Sequence, residues 1–444
     1  MNVIYFSTLA WDEAGGAHNP TQISRALAQR GHSVLFVEPQ PAATRNVERL
    51  PIEIVALTEL GMTQTELRRA WFGLPTGELA GVAKNILARI SETQTRVAIF
   101  SAPFDPFARM IPLLRAHHFK IVYYAMDDFA AAPALGYTQF VTDAEIFLVH
   151  ESDVLLGVTP HIANSLARFG NRAQVIPNGI DANLWQRNAA RAPNAQRGEL
   201  TLGFWGTLME AMFDTEIVAH VARARPRWRI HLLGAVDPEP HRPSVRERLK
   251  NFPNIFFHGA IAHAELPKYA AAFDVALAPF PENDFTRGRD PIKIYEYLAA
   301  QLPVVASYAP QLEQLPYVRV AYSPQEFAQA IQDAAQTRVH ARVLNEFLAQ
   351  QTWAARADML LQILGETHAR SNKNASREIL PSFAKPDAHA VMRYANALEQ
   401  ELASVTQWAR ELEAIAQARS NPSIALGTSL ERVKRFVPTF GRRN

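Results

Sequence analysis

Cysteine is absent from the 444-residue sequence. That excludes a disulfide framework, cysteine metal sites and a thiol nucleophile, and it is compatible with a reducing compartment. Charge of one sign is also scarce. The formal net charge is +2, so the bulk composition calls for no nucleic-acid partner. No stretch reaches the ~20 consecutive apolar residues that span a bilayer. The opening MNVIYFSTLAW lacks the charged start of a secretory signal and reads instead as a buried strand. The expectation is a cytoplasmic protein, with peripheral attachment at the inner membrane face left open. What is present is enough apolar residue, 48% over this length, for two domains with additions rather than one core.

The pattern along the chain is repeated strand and helix. Residues 2–7 form a short run of β-formers, and a loop with Gly15 and Gly16 follows. Asn19 or Thr21 can cap a helix through Gln29, Gly31 and His32 stop it, and 33–38 reads as a second strand. Further strands are expected over 97–101, 121–125, 154–159 and 173–176, with helices over 106–117 and 161–168 between them. The polar stretch QRNAARAPNAQRGE, 186–199, reads as a linker. The pattern then restarts, with strands over 200–205, 229–234, 255–258, 275–279 and 303–307 and a helix over 214–224. Two α/β halves in tandem are implied, 1–185 and 200–350, each a parallel sheet covered on both faces. Ligands of such sheets lie beyond the carboxyl ends of the strands, so two facing sheets place a cleft at the seam.

The tail differs. A helix over 351–369 follows the last sheet unit, and residues 371–385 read as a second linker. Over 386–420 the sequence is strongly helical. Val391, Leu398, Val405 and Leu412 recur every seven residues, as do Ala395, Leu402, Ala409 and Ala416. This is a coiled-coil-like seam of ~3–4 heptads. Self-association, a partner helix and packing on its own domain all stay open. Residues 421–444 hold five basic residues, Arg432, Lys434, Arg435, Arg442 and Arg443, against Glu431. A solvated tail and a contact with anionic lipid are the two readings.

The segment DFTRGRDPIKIYEYLAAQLPVVAS, 284–307, carries the most chemistry. Asp290 suits an N-cap and Pro291 a first helical position, with the helix running to about Gln301. The start of a helix attracts anions. Arg287, Arg289 and Lys293 crowd that same end, where cations oppose the dipole unless an anion such as a diphosphate joins them. Glu296 lies at the edge of the face that packs on the sheet, and a carboxylate there needs a partner. A vicinal diol of a ribose would supply one, as would a salt bridge to Lys293 or an arginine.

This segment resembles the C-domain signature of family 4-like GT-B glycosyltransferases. It is most similar to a bacterial branch with Pro-x-Lys-x-Tyr-Glu-Tyr-Leu-Ala before a Pro-Val-Val strand. Pro291, Lys293, Tyr295, Glu296, Tyr297, Leu298 and Ala299 match it, and Pro303, Val304 and Val305 follow. Pro177-Asn178-Gly179-Ile180-Asp181 resembles the family's Pro-Asn-Gly-Val-Asp. Segments 202–207, 228–234 and 259–279 fit the same register, and the resemblance runs from residue 1 to about 368. It implies two Rossmann-like domains facing a cleft and no cofactor beyond a nucleotide-diphosphate sugar as co-substrate. Gly206, Thr207, Arg287, Arg289, Lys293, Tyr295 and Glu296 would contact that donor, and no metal is needed where arginine and lysine hold the diphosphate. The implied acceptor is a glycan, a lipid-linked glycan or a small molecule. Two departures leave the stereochemical course open. Gly288 stands where retaining members often carry a second glutamate, and Leu208 to Met212 offer no Arg or Lys after Gly206. His117-His118 and His258/His263 lack ligand spacing and read as surface or core histidines.

In the first half, Asp127 and Asp128 end a strand in YYAMDDF. One of them would accept a proton from the acceptor hydroxyl; alternatively Asp128 caps the next helix. Gly15 and Gly16 let the first loop approach ligands closely. His18 beside them is a further candidate base, and Glu151 a candidate cleft residue. Two other functions stay in view. One is a dinucleotide oxidoreductase using Glu38 for a ribose, against which stands the missing Gly-x-Gly-x-x-Gly. The other is a scaffold that kept the fold and lost turnover.

Overall fold

The computed structural model describes residues 1–419 apart from 48, 92–93, 136, 169–171, 186–198, 237–243, 368–376 and 386. The first linker is almost wholly outside the described residues, as is the basic tail. Among the described residues, no helix is long and apolar enough to cross a membrane.

The first domain is built on a seven-stranded parallel sheet ordered β3-β2-β1-β4-β5-β6-β7. Its strands are β1 Asn2–Phe6, β2 Ser33–Glu38, β3 Ile52–Ala56, β4 Arg96–Phe100, β5 Lys120–Ala125, β6 Val154–Gly157 and β7 Gln174–Val175. Central β1 is apolar after Asn2 and buried at every position, as expected of a strand covered on both faces. The second sheet has six parallel strands ordered β10-β9-β8-β11-β12-β13. These are β8 Thr201–Trp205, β9 Arg229–Leu233, β10 Ile255–Gly259, β11 Val275–Ala278, β12 Val304–Ser307 and β13 Val318–Ala321. In both sheets the chain runs outward from the centre to one edge, returns and fills the other side. The strand order therefore reverses beside β1 and beside β8, where open sheets form their ligand crevice.

Several local features differ from the sequence reading. The edge strands β3 and β13 are additional. The stretch 106–117 is two short helices, Asp105–Ala108 and Ile111–Ala116. Pro106 and Pro112 each sit in a first turn, where proline is tolerated. The key helix of the second domain is Ile292–Ala299, and its N-cap is Pro291 with no side-chain cap bond. Asp290 does not cap it; its carboxylate accepts instead from the Asn178 amide at 2.6 Å and the Tyr295 hydroxyl at 2.8 Å.

Helix Trp353–Glu366 leaves the second domain and buries Trp353, Ala357, Leu360, Ile363 and Leu364 in the core of the first. Arg356 within it donates to the Asn178 carbonyl at 3.0 Å. Arg30 pairs with Asp358 at 2.6 Å on the outer side. The chain then clamps onto the first domain through Asp105, which accepts from Phe383 N at 2.6 Å and Ala384 N at 3.0 Å. The terminal helix Ala388–Arg419 packs one face on this domain. Tyr394 meets Phe72 edge-on, and Glu401 pairs with Arg68. Val391, Leu398, Leu402 and Val405 are exposed along the flank of that contact. The side chains of Leu412 and Ala416 lie outside the described residues.

Candidate functional site

The site is assembled at the carboxyl ends of both sheets. At the end of β8, Gly206 has φ 137° and Gly234, at the end of β9, has φ 150°. A Cβ on Gly234 would lie 1.8 Å from the Gly206 carbonyl oxygen, and one on Gly206 would lie 2.2 Å from Lys293 Nζ. Only glycine permits both the backbone angle and the approach. Thr207 is exposed beside them.

Lys293, in the first turn of helix Ile292–Ala299, therefore rests against the β8 turn. Its ammonium stands 4.5 Å from the Phe204 ring centre. Burial, and then the neighbouring Arg289, push its pKa down to about 7 against the pull of Glu296. Arg289 is half-buried, stacked 5.4 Å from the Phe285 ring centre, with Nε 3.6 Å from Asp127 of the first domain. Arg287 is not brought into this group. It is exposed and pairs with Asp284 at 3.2 Å and Glu282 at 3.5 Å.

Glu296, one turn into the helix, is buried. Its Oε2 accepts from the Trp205 indole at 2.7 Å, and its Oε1 is 2.5 Å from His263 Nε2. Trp205 stacks on Trp185 and is crossed by Tyr297. Tyr295 points away from Glu296 toward Asp290. Burial pushes the Asp290 pKa up to about 6, against the Asn178 amide, the Tyr295 hydroxyl and Arg356. A buried polar chain continues from there into the first domain. Asn178 accepts from Asn19, which donates to Tyr124 and accepts from Tyr5.

The first domain closes on this surface at three points. Gly15 has φ 68°, and a Cβ there would lie 2.8 Å from His263 Cβ. Gly16 has φ 74° and packs toward Trp11 and Thr21. Gly288 sits where a Cβ would meet Asp128 at 3.1 Å and His161 at 3.3 Å, and its carbonyl accepts from Thr159 at 3.0 Å. Asp127 faces Arg289 across the seam. Its pKa is raised by burial and by Asp128, and Arg289 opposes the rise. Asp128 opens a turn at Ala131 and bonds His161 at 3.1 Å. His18 caps helix Asn19–Gln29 by position. Its Nε2 bonds the Ala10 carbonyl at 2.8 Å, and burial lowers its pKa to about 4.

Three acids lie apart from donor chemistry or were unread. Glu38 is fully buried and accepts from Trp11 N, Ala42 N and Arg45, so it holds its own loop and is closed to a ribose. Glu151 ends helix Thr142–Glu151 with its carbonyl bound by Arg115. Glu145, with no motif around it, accepts from the Tyr123 hydroxyl at 2.8 Å. Burial pushes its pKa up to about 7, opposed by that bond and aided by Asp128. His263, which read only as a surface or core histidine, stands at the site, and Trp205 and Trp185 carried no site reading. Nothing in their spacing couples them; the short helix Ala182–Trp185, the end of β8 and the turn after β10 do. Among the described residues, no group of three His, Asp or Glu side chains gathers as a metal site.

Residues 199–337 match the profile of the Glycosyl transferases group 1, and residues 15–184 that of Glycosyltransferase Family 4. Together these cover well over half of the chain. TuaH of Bacillus subtilis (strain 168), whose name assigns it provisionally to teichuronic acid biosynthesis as a glycosyltransferase, is 24% identical over 226 residues. That match takes in 47% of this chain and 56% of TuaH. The chain thus spans little more than half the length of this relative. Among solved structures, sucrose-phosphate synthase from Thermosynechococcus elongatus superposes with a TM-score of 0.62 at 16% identity, over 82% of this chain and 98% of that one. Anabaena HepE in complex with UDP and glucose gives 0.59 at 14% identity, over 82% and 99%. These likenesses establish the two-sheet GT-B architecture. With both halves matched in order, the chain belongs to the group 1, family 4 glycosyltransferases.

Proposed function

We propose that the protein transfers a sugar from a UDP-sugar to a glycan, lipid-linked or small-molecule acceptor. The observation that carries this is the Lys293 ammonium. It is held against the Gly206 turn at an uncapped helix start, with Glu296 one turn further in. Burial holds its pKa near 7, a state that an arriving diphosphate would relieve. TuaH and HepE, one named a glycosyltransferase and the other solved with UDP and glucose, support the choice of donor.

Lys293, Arg289 and the backbone at Gly206 and Thr207 then hold the diphosphate. Fixed positive charge stabilises the leaving group as the glycosidic bond breaks. Arg287 at the rim adds only screened attraction. Glu296 accepts from the ribose hydroxyls, and Tyr295 fixes the helix through Asp290. Gly15 and Gly16 close over the donor. Asp127, with Asp128, is the group placed to accept a proton from the acceptor, and His18 supports that loop. The exposed stripe Val391, Leu398, Leu402 and Val405 suits a second copy of the chain, which light scattering on the full chain would show. The basic tail suits the inner membrane face.

The test is donor screening by calorimetry and turnover. UDP should bind and a UDP-sugar should be consumed with an acceptor glycan. Binding without turnover across donors and acceptors would favour the scaffold reading. Absence of UDP binding would sink the donor site.

A further inference from the structure

The carboxylate proposed to hold the ribose is already engaged on both oxygens. Trp205 donates its indole N–H to Oε2 at 2.7 Å, and His263 Nε2 stands 2.5 Å from Oε1. An ionised carboxylate has about four acceptor directions. One protein bond on each oxygen therefore leaves one on each, the number a vicinal diol needs. The two protein bonds also fix the carboxylate plane. A side chain pinned by a single bond could rotate about it; one pinned at both oxygens cannot.

His263 is itself well placed for this. Its side chain is 19% exposed and begins the short 3-10 turn His263–Glu265 after β10. Its ring meets Trp185 edge-on at 6.1 Å. Gly15 of the first domain abuts its Cβ, so the loop that closes on the site rests on this residue. Burial disfavours its protonated form. The bond to Glu296 and the charges of Glu296 and Asp181 outweigh that and leave its pKa raised.

We propose that His263 is a positioning residue for nucleotide recognition: with Trp205 it orients Glu296 so that the two free acceptor directions meet the 2′ and 3′ hydroxyls of the donor ribose. This rests on the donor reading above and adds a residue to it. His263 acts through Glu296 and need not touch the sugar.

The experiment compares UDP with 2′,3′-dideoxy-UDP by titration calorimetry on the full chain, with thermal melts as the folding control. Wild type should prefer UDP by about tenfold or more, the strength of hydrogen bonds to a charged acceptor. Glu296→Ala should bind both alike. His263→Ala should lose most of the preference while its affinity for the dideoxy compound stays within about twofold. His263→Gln, whose amide N–H can reach where Nε2 stands, should restore it. A His263→Ala protein that keeps the full preference while Glu296→Ala loses it overturns the positioning role and leaves the donor reading intact. Preference retained in Glu296→Ala, or no UDP binding by wild type, overturns both. Should His263→Ala not melt cooperatively, His263→Gln and His263→Asn decide. Preference kept in the first and lost in the second supports the role, and any other pairing overturns it.

Discussion

A lysine whose pKa lies near 7 in the free protein makes donor affinity depend on pH in a calculable way. Lys293 is pushed down from 10.5 to about 7 by burial and by Arg289, against Glu296. A bound diphosphate favours the protonated form, so the pKa rises in the complex. Affinity should then follow the fraction of free protein carrying the proton, about one half at pH 7 and one hundredth at pH 9. The UDP dissociation constant should rise about fiftyfold over that interval, or about 2.3 kcal/mol. The last ionisation of the UDP terminal phosphate lies at about pH 6, so it is about nine-tenths complete at pH 7 and changes the slope little. Stability of the free protein runs the other way. Between pH 7 and 10 the unfolded chain binds a proton that the folded chain has released, so the melting temperature rises with pH. Saturating UDP should cancel that trend, because the complex and the unfolded chain then hold the same proton. Calorimetry at pH 7, 8 and 9 on wild type, Lys293→Met and Lys293→Arg measures the effect. Lys293→Met should bind weakly with no such slope. Lys293→Arg should keep a charge that does not titrate here. A flat wild-type profile, or an equal slope in Lys293→Met, would refute the reasoning.

Other expectations follow from single contacts. Gly206→Ala meets both a φ of 137° and the Lys293 ammonium, and should cost about 1–3 kcal/mol of stability, read by denaturant melts, along with UDP affinity. Arg289→Ala should weaken UDP about tenfold or more, whereas Arg287→Ala, exposed among its own acids, should stay within about ±0.5 kcal/mol in stability and change UDP affinity little. Asp290→Asn replaces an acceptor of two bonds, one from a backbone amide across the seam, and should destabilise by about 1–3 kcal/mol. Wild-type stability should fall as pH rises from about 4 to 6, because native Asp290 still holds its proton there while the unfolded chain has lost it.

The sheets were legible where strands lie at their centres, and less so at the edges. The runs at 2–7 and 33–38 are apolar enough to read directly, because both faces are covered. IEIVA at β3 and VRVA at β13 each carry a charged residue and so escape a hydrophobic scan, whereas the edges β7 and β10 were legible. The 284–307 region reads as an anion site because Pro291, Lys293 and Glu296 are close in sequence; the structure puts Lys293 and Arg289 at that helix start and leaves Arg287 with its own acids. Asp290 looked like a cap because local chemistry allows it; its actual partner, the Asn178 amide, is 112 residues away. His263 and Trp205 had no local signal at all. Their meeting on Glu296 depends on which strands neighbour β8, and side-chain spacing along the chain does not carry that.

The Arg289–Asp127 pair suggests how donor and acceptor events are linked. Arg289, across the seam, opposes the rise in the Asp127 pKa that burial and Asp128 produce. A diphosphate competes for the same guanidinium with a more concentrated negative charge. Once the donor is seated, Asp127 loses part of that opposing charge, and its pKa rises further from 3.8 toward the range in which a carboxylate takes up a proton readily. Gly288 precedes Arg289 in the chain. With no side chain it lets Asp128 and His161 approach, and the space a glutamate would need is occupied by the first domain. On the proposed function, chemistry near the acceptor would fall to the first domain's own acids. Asp127→Asn should cut turnover by about 10²–10⁴ while leaving UDP affinity equal or higher, because a competitor for Arg289 has lost its charge. Arg289→Ala should shift the acid limb of the wild-type rate profile upward in pH, toward a less acidic Asp127. Single-turnover rates from pH 4 to 8 on both variants decide the matter. An unchanged Asp127→Asn rate, or an acid limb that stays put without Arg289, would show that Asp127 is a seam residue and that the proton goes elsewhere.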